Sequence, residues 1–155
     1  DDGVMLLHTI ARTGEPCPPN PWVTRHIFPG GHIPTLSEIA PALEVSGLML
    51  TDLEVLRLHY AWTLRAWRER FLARRDEARR IYGERFCRVW EFYLAVFEVS
   101  FQLEDLVVFQ LQLAKRNDVL PVRRDYIHEV ETALAPRGPI EPETSASPAT
   151  GAPAP

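Results

Sequence analysis

Arg25-His26-Ile27-Phe28-Pro29-Gly30-Gly31-His32-Ile33-Pro34-Thr35-Leu36-Ser37-Glu38 holds a stop followed by a start, and its reading organises the chain around it. Pro29-Gly30-Gly31 ends a short helical turn predicted over Trp22 to Phe28, because Pro breaks a helix and Gly permits positive φ. Thr35-Leu36-Ser37-Glu38 reads as a capping box, with the Thr35 hydroxyl and the Glu38 carboxylate satisfying each other's backbone donors. A helix is therefore predicted to near Ser46, with Gly47 as its left-handed C-cap. Pro41 inside it predicts a bend or a late start. Upstream, Val4 to Ile10 is a nearly continuous apolar run without a helical stripe, which suits a strand buried on both faces of a parallel sheet. Downstream, Leu48 to Leu56 alternates imperfectly and is read as a second strand.

Two long helices follow. The first is predicted from about Tyr60 to Tyr82, with Leu64, Trp67, Phe71, Leu72, Ala78 and Ile81 near helical spacing and Gly83 breaking it. The second is predicted from about Glu84 to Gln102 and is apolar over more than one face, so it should be largely buried. Leu106 to Leu113 alternates and reads as a final strand, and Ile127 to Leu134 as a weak helix. From Ala135 the tail is rich in Pro, Ala, Ser, Thr and Glu, a composition that predicts disorder. The division expected is residues 1–127 as one domain part and residues 128–155 as a tail, disordered from about 135. Strand, helix, strand, two helices, strand is an α/β order, as in half of a doubly wound sheet, with the first strand an edge that lacks a neighbour.

The chain has 155 residues and a formal net charge of −4, so no global field draws it to nucleic acid or to an acidic membrane. Cys17 and Cys87 form no ligand spacing and no disulfide framework, which fits a reducing cytoplasm. No apolar run approaches the ~20 residues that span a bilayer. The opening Asp1-Asp2-Gly3, a turn leading straight into a strand, predicts a truncated N-terminus. His26 and His32 lie six apart across the Pro-Gly-Gly turn without a Cys or carboxylate cluster, so a rim or surface role is expected for them and no metal.

Three strings carry a resemblance: Leu7-His8-Thr9-Ile10, Phe28-Pro29-Gly30-Gly31-His32-Ile33-Pro34, and His59-Tyr60-Ala61-Trp62-Thr63-Leu64. Together they resemble the C-terminal part of the cyclopropane-fatty-acyl-phospholipid synthases and mycolic acid cyclopropane synthases. Trp67-Arg68-Glu69-Arg70-Phe71, Tyr82-Gly83-Glu84-Arg85-Phe86 and Phe92-Tyr93-Leu94 add to it, and the match runs from about Asp2 to Tyr126. The resemblance implies the C-terminal half of a Rossmann-like methyltransferase sheet with inserted long helices. It also implies transfer of a methylene from S-adenosylmethionine to a cis double bond of a phospholipid acyl chain, with bicarbonate as the base.

The same resemblance gives His8, Ile10 and Tyr60 the role of holding that bicarbonate, Ile10 through its backbone. Trp22, Phe28 and Ile33 become candidates for lining the lipid channel. On the residues alone, His8 reads as a core histidine satisfied by a backbone carbonyl, and Tyr60 as packing at a helix start. Gly-x-Gly-x-Gly does not occur, so the S-adenosylmethionine site is expected to be largely missing and the chain alone inactive. Relatives of the family give methyl-branched or oxygenated chains, and a non-catalytic lipid- or protein-binding module on the same fold is the remaining alternative. Nine arginines against four acids between Arg65 and Arg88 read either as a solvated face laced with pairs such as Arg65–Glu69, or as a patch that meets anionic phospholipid. The placement expected is cytoplasmic, peripheral on the inner membrane face. No oligomeric state follows.

Overall fold

The computed structural model describes residues 2–135. Its elements are β1 (Val4–Arg12), α1 (Pro21–His26), α2 (Leu36–Ser46), β2 (Met49–Leu56), α3 (His59–Ala73), α4 (Arg75–Leu103), β3 (Leu106–Ala114) and α5 (Asp125–Leu134). The order is α/β, as the sequence predicts. The chain divides into two units at Leu120, and α5 belongs to the second. The tail predicted to be disordered lies almost wholly outside the described residues.

The sheet order is β1-β3-β2, and both outer strands run antiparallel to β3. β1 and β2 therefore share a direction, as parallel strands of an α/β sheet do, with β3 reversed between them. β1 is an edge, as the sequence predicts, but the parallel, doubly covered environment expected for it is corrected here: it runs antiparallel to β3, and Val4, Met5 and Leu6 are exposed. The strand buried on both faces is β3, where only Gln110 and Gln112 fall short of burial. Its alternation of Val107, Phe109, Leu111 and Leu113 with Leu106, Val108, Gln110 and Gln112 serves two cores at once.

Register decides which residues share a face. Val4 pairs with Ala114 and Arg12 with Leu106, without a break. In β2, Thr51 is extra between Leu50 and Asp52, a bulge held by its hydroxyl donating to the Gln112 carbonyl at 3.0 Å. One face carries Ala11, Val107, Phe109, Leu111 and Leu113, against which Ile39 and Leu43 of α2 pack. The other carries Ile10, Val108, Leu106 and Leu56 and is covered by Ala61 and Leu64 of α3 and Tyr93, Leu94, Phe97 and Phe101 of α4.

The stop and start signals hold. Phe28-Pro29-Gly30-Gly31 has the form of a type II turn: Pro second, Gly30 third at φ +73, and the Gly31 N–H donating to the Phe28 carbonyl at 2.9 Å. Thr35 caps α2; its N–H donates to the Glu38 carboxylate at 2.8 Å, and Gly47 closes the helix in the left-handed region. Pro41 is accommodated inside α2. The Asn20 cap, whose Oδ1 accepts from the Trp22 N–H at 2.9 Å, starts α1 one residue before the predicted position.

The long helices need one correction. The first ends at Ala73, not Tyr82, because Arg74 leaves the helical region at φ −120 and ψ 20. Gly83 interrupts as expected, at φ 83 and ψ 167, a conformation essentially confined to glycine. Between the two breaks lies a short helical segment at the tip of the α3–α4 hairpin. The expected Arg65–Glu69 pair is also replaced: Arg65 and Arg68 both donate to Glu98 of α4, at 2.9 and 2.8 Å.

Candidate active site

The helix-covered sheet face is graded. Its row Ile10–Val108–Leu56 lies under the helices. The next row, His8–Gln110–Glu54, is polar, with His8 and Glu54 exposed. Side chains two apart on a strand point the same way, so His8 and Ile10 share this face. His8 is thus not the core histidine that its isolation suggested. Its partner is a side chain: the Gln110 amide donates to Nδ1 at 3.2 Å. With Nδ1 accepting, the ring proton sits on Nε2, which is left as a donor.

Tyr60 stands in the first turn of α3 and packs on the same apolar cluster as Ile10. Its ring lies 5.0 Å from Phe101 and 5.9 Å from Trp67. Burial raises its phenol above the ordinary tyrosine value, so it stays protonated and able to donate. A second phenol was not singled out from the sequence. Burial pushes Tyr93 up to about 12, and the charge that Tyr60 would carry adds to the rise. Neither hydroxyl has a hydrogen-bond partner among the described residues. The sequence signal for Tyr93 was a polar tip in an otherwise apolar helix face, within Phe92-Tyr93-Leu94.

The three channel candidates meet this cluster too. Trp22 and Ile33 pack against it, and Phe28 sets its edge on Tyr93 at 5.7 Å between centroids. Trp22 does the same to Phe92 at 4.7 Å. All six residues singled out from the sequence therefore lie on one side of the sheet, around one aromatic cluster. His8 sits at its polar margin, Ile10 and Tyr60 within it, and Trp22, Phe28 and Ile33 along α1 and the turn after it. The two histidines that flank the Pro-Gly-Gly turn have other partners: His32 Nε2 is 3.0 Å from Glu38, and His26 lies against Trp22.

A cradle for S-adenosylmethionine needs a glycine turn between a strand and a helix N-terminus. The positive-φ glycines of the described residues are Gly30, Gly47 and Gly83, none of which follows a strand. The end of β1 is closed by protein groups, with Arg12 paired to Asp105 at 2.9 Å and the Arg12 N–H donating to the Pro34 carbonyl. The described residues do not build that cradle. They do offer donors for a small oxyanion, at His8 Nε2 and the Tyr60 hydroxyl.

One side of the sheet thus carries an imidazole, two phenols and an aromatic cluster, with the phenols on the helices that cover the strands. The chain belongs to the mycolic acid cyclopropane synthetase family, whose model matches residues 1–111. It is 43% identical over 96 residues to the tuberculostearic acid methyltransferase UfaA1 of Mycobacterium tuberculosis, covering 61% of this chain and 22% of that protein. It is 34% identical over 114 residues to the cyclopropane-fatty-acyl-phospholipid synthase of Escherichia coli K12, covering 74% and 30%. The fold matches the cyclopropane synthase MmaA2 of Mycobacterium tuberculosis at a TM-score of 0.67 and 31% identity, over 74% of this chain and 45% of that one. The mycolic acid cyclopropane synthase CmaA1, solved with SAH and CTAB, matches at 0.64 and 26% identity, over 72% and 44%. The chain thus spans less than half the length of each of these relatives.

Proposed function

We propose that the protein acts as an S-adenosylmethionine-dependent lipid methyltransferase that places a one-carbon unit on a cis double bond of a phospholipid acyl chain, giving a cyclopropane. The residues described here form one wall of its pocket. The observation that supports the reading is that His8 and Ile10 share the sheet face covered by the aromatic cluster on which Tyr60 of α3 packs. Bicarbonate, when bound, supplies the base that removes a proton from the transferred methyl. Its holders are the Nε2–H of His8, the phenol of Tyr60 and the backbone of Ile10.

The division of labour follows from environment. Gln110 fixes the His8 ring so that its outward nitrogen is a donor. Burial keeps Tyr60 neutral, so it donates without adding a charge. The apolar cluster keeps water from a cationic acyl chain, and the faces of Tyr60, Tyr93, Phe97 and Phe101 stabilise positive charge beside them. Similarity to a protein named as a tuberculostearic acid methyltransferase favours a second product, a methyl-branched chain. Mass spectrometry of the product separates the two.

The test is kinetic, in the full-length protein. His8→Ala and Tyr60→Phe are each expected to lower turnover about 100-fold, in line with loss of a group that positions a general base. S-adenosylmethionine affinity should stay within about twofold. Unchanged turnover in both variants removes the bicarbonate assignment.

A further inference from the structure

The arginines between Arg65 and Arg88 do not act alike. Arg65 and Arg68 are held by Glu98. Arg75 grips Glu84 with two nitrogens, at 2.6 and 3.1 Å, and also bonds Glu91. Arg79 pairs with Asp76, and Arg88 lies within electrostatic reach of Glu84. Arg70, Arg74, Arg80 and Arg85 form no ion pair among the described residues and are exposed. Arg74 bounds and Arg80 belongs to the hairpin tip, the segment between the Arg74 break and the Gly83 kink, with Arg70 in the last turn of α3 before it and Arg85 just after Gly83.

That tip is also apolar. Ile81 and Tyr82 are each 64% exposed, Leu72 46% and Phe86 37%. The Tyr82 and Phe86 rings lie 4.8 Å apart, so they form one surface. Leu72, Arg74 and Arg80 line a shallow depression of about 440 Å³, together with Ala73, Arg75, Asp76 and Glu77. Arg75 bonds acids on the far side of Gly83, which fixes the tip segment against the rest of α4. A rigid knob with exposed aromatic and aliphatic side chains ringed by unpaired guanidinium groups is costly to keep in water. Outside Arg65–Arg88 the chain has eight basic against seventeen acidic residues. An anionic plane therefore attracts the tip and repels the remainder.

We propose that the tip of the α3–α4 hairpin is a docking surface for an anionic phospholipid bilayer. Ile81, Tyr82, Phe86 and Leu72 enter the interface, and Arg70, Arg74, Arg80 and Arg85 meet headgroup phosphates. No helix of the described residues is long and apolar enough to cross a membrane, so the contact is interfacial. The surface is continuous with the site. Tyr82–Phe86, Phe86–Trp90, Trp90–Tyr93 and Tyr93–Phe97 are ring contacts of 4.8 to 5.9 Å, leading from the exposed tip to the buried cluster beside Tyr60. An acyl chain leaving the bilayer has this aromatic edge to follow. The lipid identity rests on the proposed function, and the binding measurement does not.

The test is co-sedimentation of the full-length protein with vesicles of phosphatidylcholine, with and without 30% phosphatidylglycerol (a chosen test composition), across salt. Binding is expected only with the anionic lipid and should weaken as salt rises. Arg74→Gln/Arg80→Gln/Arg85→Gln should weaken it by a factor on the order of 100, about fivefold per arginine. Ile81→Ser/Tyr82→Ser should weaken it at least ~10-fold at every salt concentration. Arg57→Gln, an exposed arginine at the opposite end of α3, should change it by less than ~5-fold. All substituted side chains are exposed, and an unchanged melting curve confirms that the variants fold. Equal binding to neutral vesicles, or wild-type binding by the triple variant, overturns the proposal. So does failure to bind vesicles with capture of an acidic protein instead. If the triple variant binds poorly yet turns over detergent-dispersed substrate normally, docking is supported and the chemistry stands. If vesicle binding is intact at the tip but no lipid product forms, docking stands and the proposed function falls.

Discussion

The two faces of one three-stranded sheet are built from different residues. On the α2 face, Ala11, Val107, Leu111 and Leu113 meet Leu7, Ile39, Leu43, Leu48 and Leu53, with Phe109 the sole aromatic. On the α3–α4 face, the strands meet Tyr60, Phe71, Trp90, Tyr93, Phe97 and Phe101, and the apolar rows give way to His8, Gln110 and Glu54. The same strands supply both, residue by residue in alternation. Aliphatic packing with no polar tip serves stability. The other face adds the phenols of Tyr60 and Tyr93, which form no hydrogen bond among the described residues, and His8 stands in the next strand row beyond the cluster. Parity of residue number along β3 therefore decides which of the two clusters a side chain joins.

The largest test of that separation is Leu111→Ala. Leu111 is completely buried on the central strand of the aliphatic face. Its truncation should cost about 3–4 kcal/mol, from lost burial and the cavity left behind. Denaturant melts check it. Activity per folded molecule should hold within about twofold. If Leu111→Ala lowers turnover of the folded fraction as much as His8→Ala does, the faces are not functionally distinct.

A smaller effect is expected from the clamp that fastens the helical cover. Glu98 is buried and accepts from Arg68 and Arg65, and these hydrogen bonds hold its carboxyl below the usual carboxylate range, Arg68 contributing most. Both arginines are partly exposed, so Glu98→Gln should cost about 2 kcal/mol and not the full penalty of a buried pair. The sign with pH is fixed. A lowered folded value means that the contribution is present above pH 4.5 and is lost as pH falls through the folded value. The wild type should therefore lose stability in acid more steeply than Glu98→Gln, and parallel acid limbs would show that the clamp is not coupled to folding.

Much of this arrangement is legible in the chain because local chemistry sets it. The Pro29-Gly30 turn, the Thr35 cap, the Gly47 C-cap and the Gly83 kink each rest on a residue type with one conformational use. What the sequence withholds is set by partners far along the chain. The direction and central place of β3 depend on pairing with residues 52 to 110 positions away, and its double-sided burial looks locally like simple alternation. The Arg74 break has no Pro or Gly to announce it. Arg65 had an acid four residues on, yet the nearly buried Glu98 across the hairpin holds it instead. For the site, the resemblance pointed to His8, Ile10 and Tyr60 as a group, and their common face follows from register and packing. Tyr93 escaped notice because a tyrosine in an apolar helix face looks like packing until its neighbours are known.

Tyr93 also provides the smallest and most specific test of the comparison. Its phenol is pushed from 10.0 up to about 12, chiefly by burial and further by Tyr60. A raised folded value means that the folded state keeps a proton that the unfolded chain gives up. Stability is therefore unaffected by this group below pH 10 and falls as pH rises from 10 to about 12. Tyr93→Phe keeps the ring and its contacts with Phe28, Trp90 and Phe97 while removing the titrating hydroxyl. At neutral pH it should change stability by no more than about 0.5 kcal/mol, since no hydrogen bond is lost. Its loss of stability in alkali should be shallower than that of the wild type. Leu113→Val, a conservative change on the aliphatic face, should leave that alkaline slope as it is. An alkaline slope that Leu113→Val flattens and Tyr93→Phe leaves alone would place the sensitive phenol on the wrong side of the sheet.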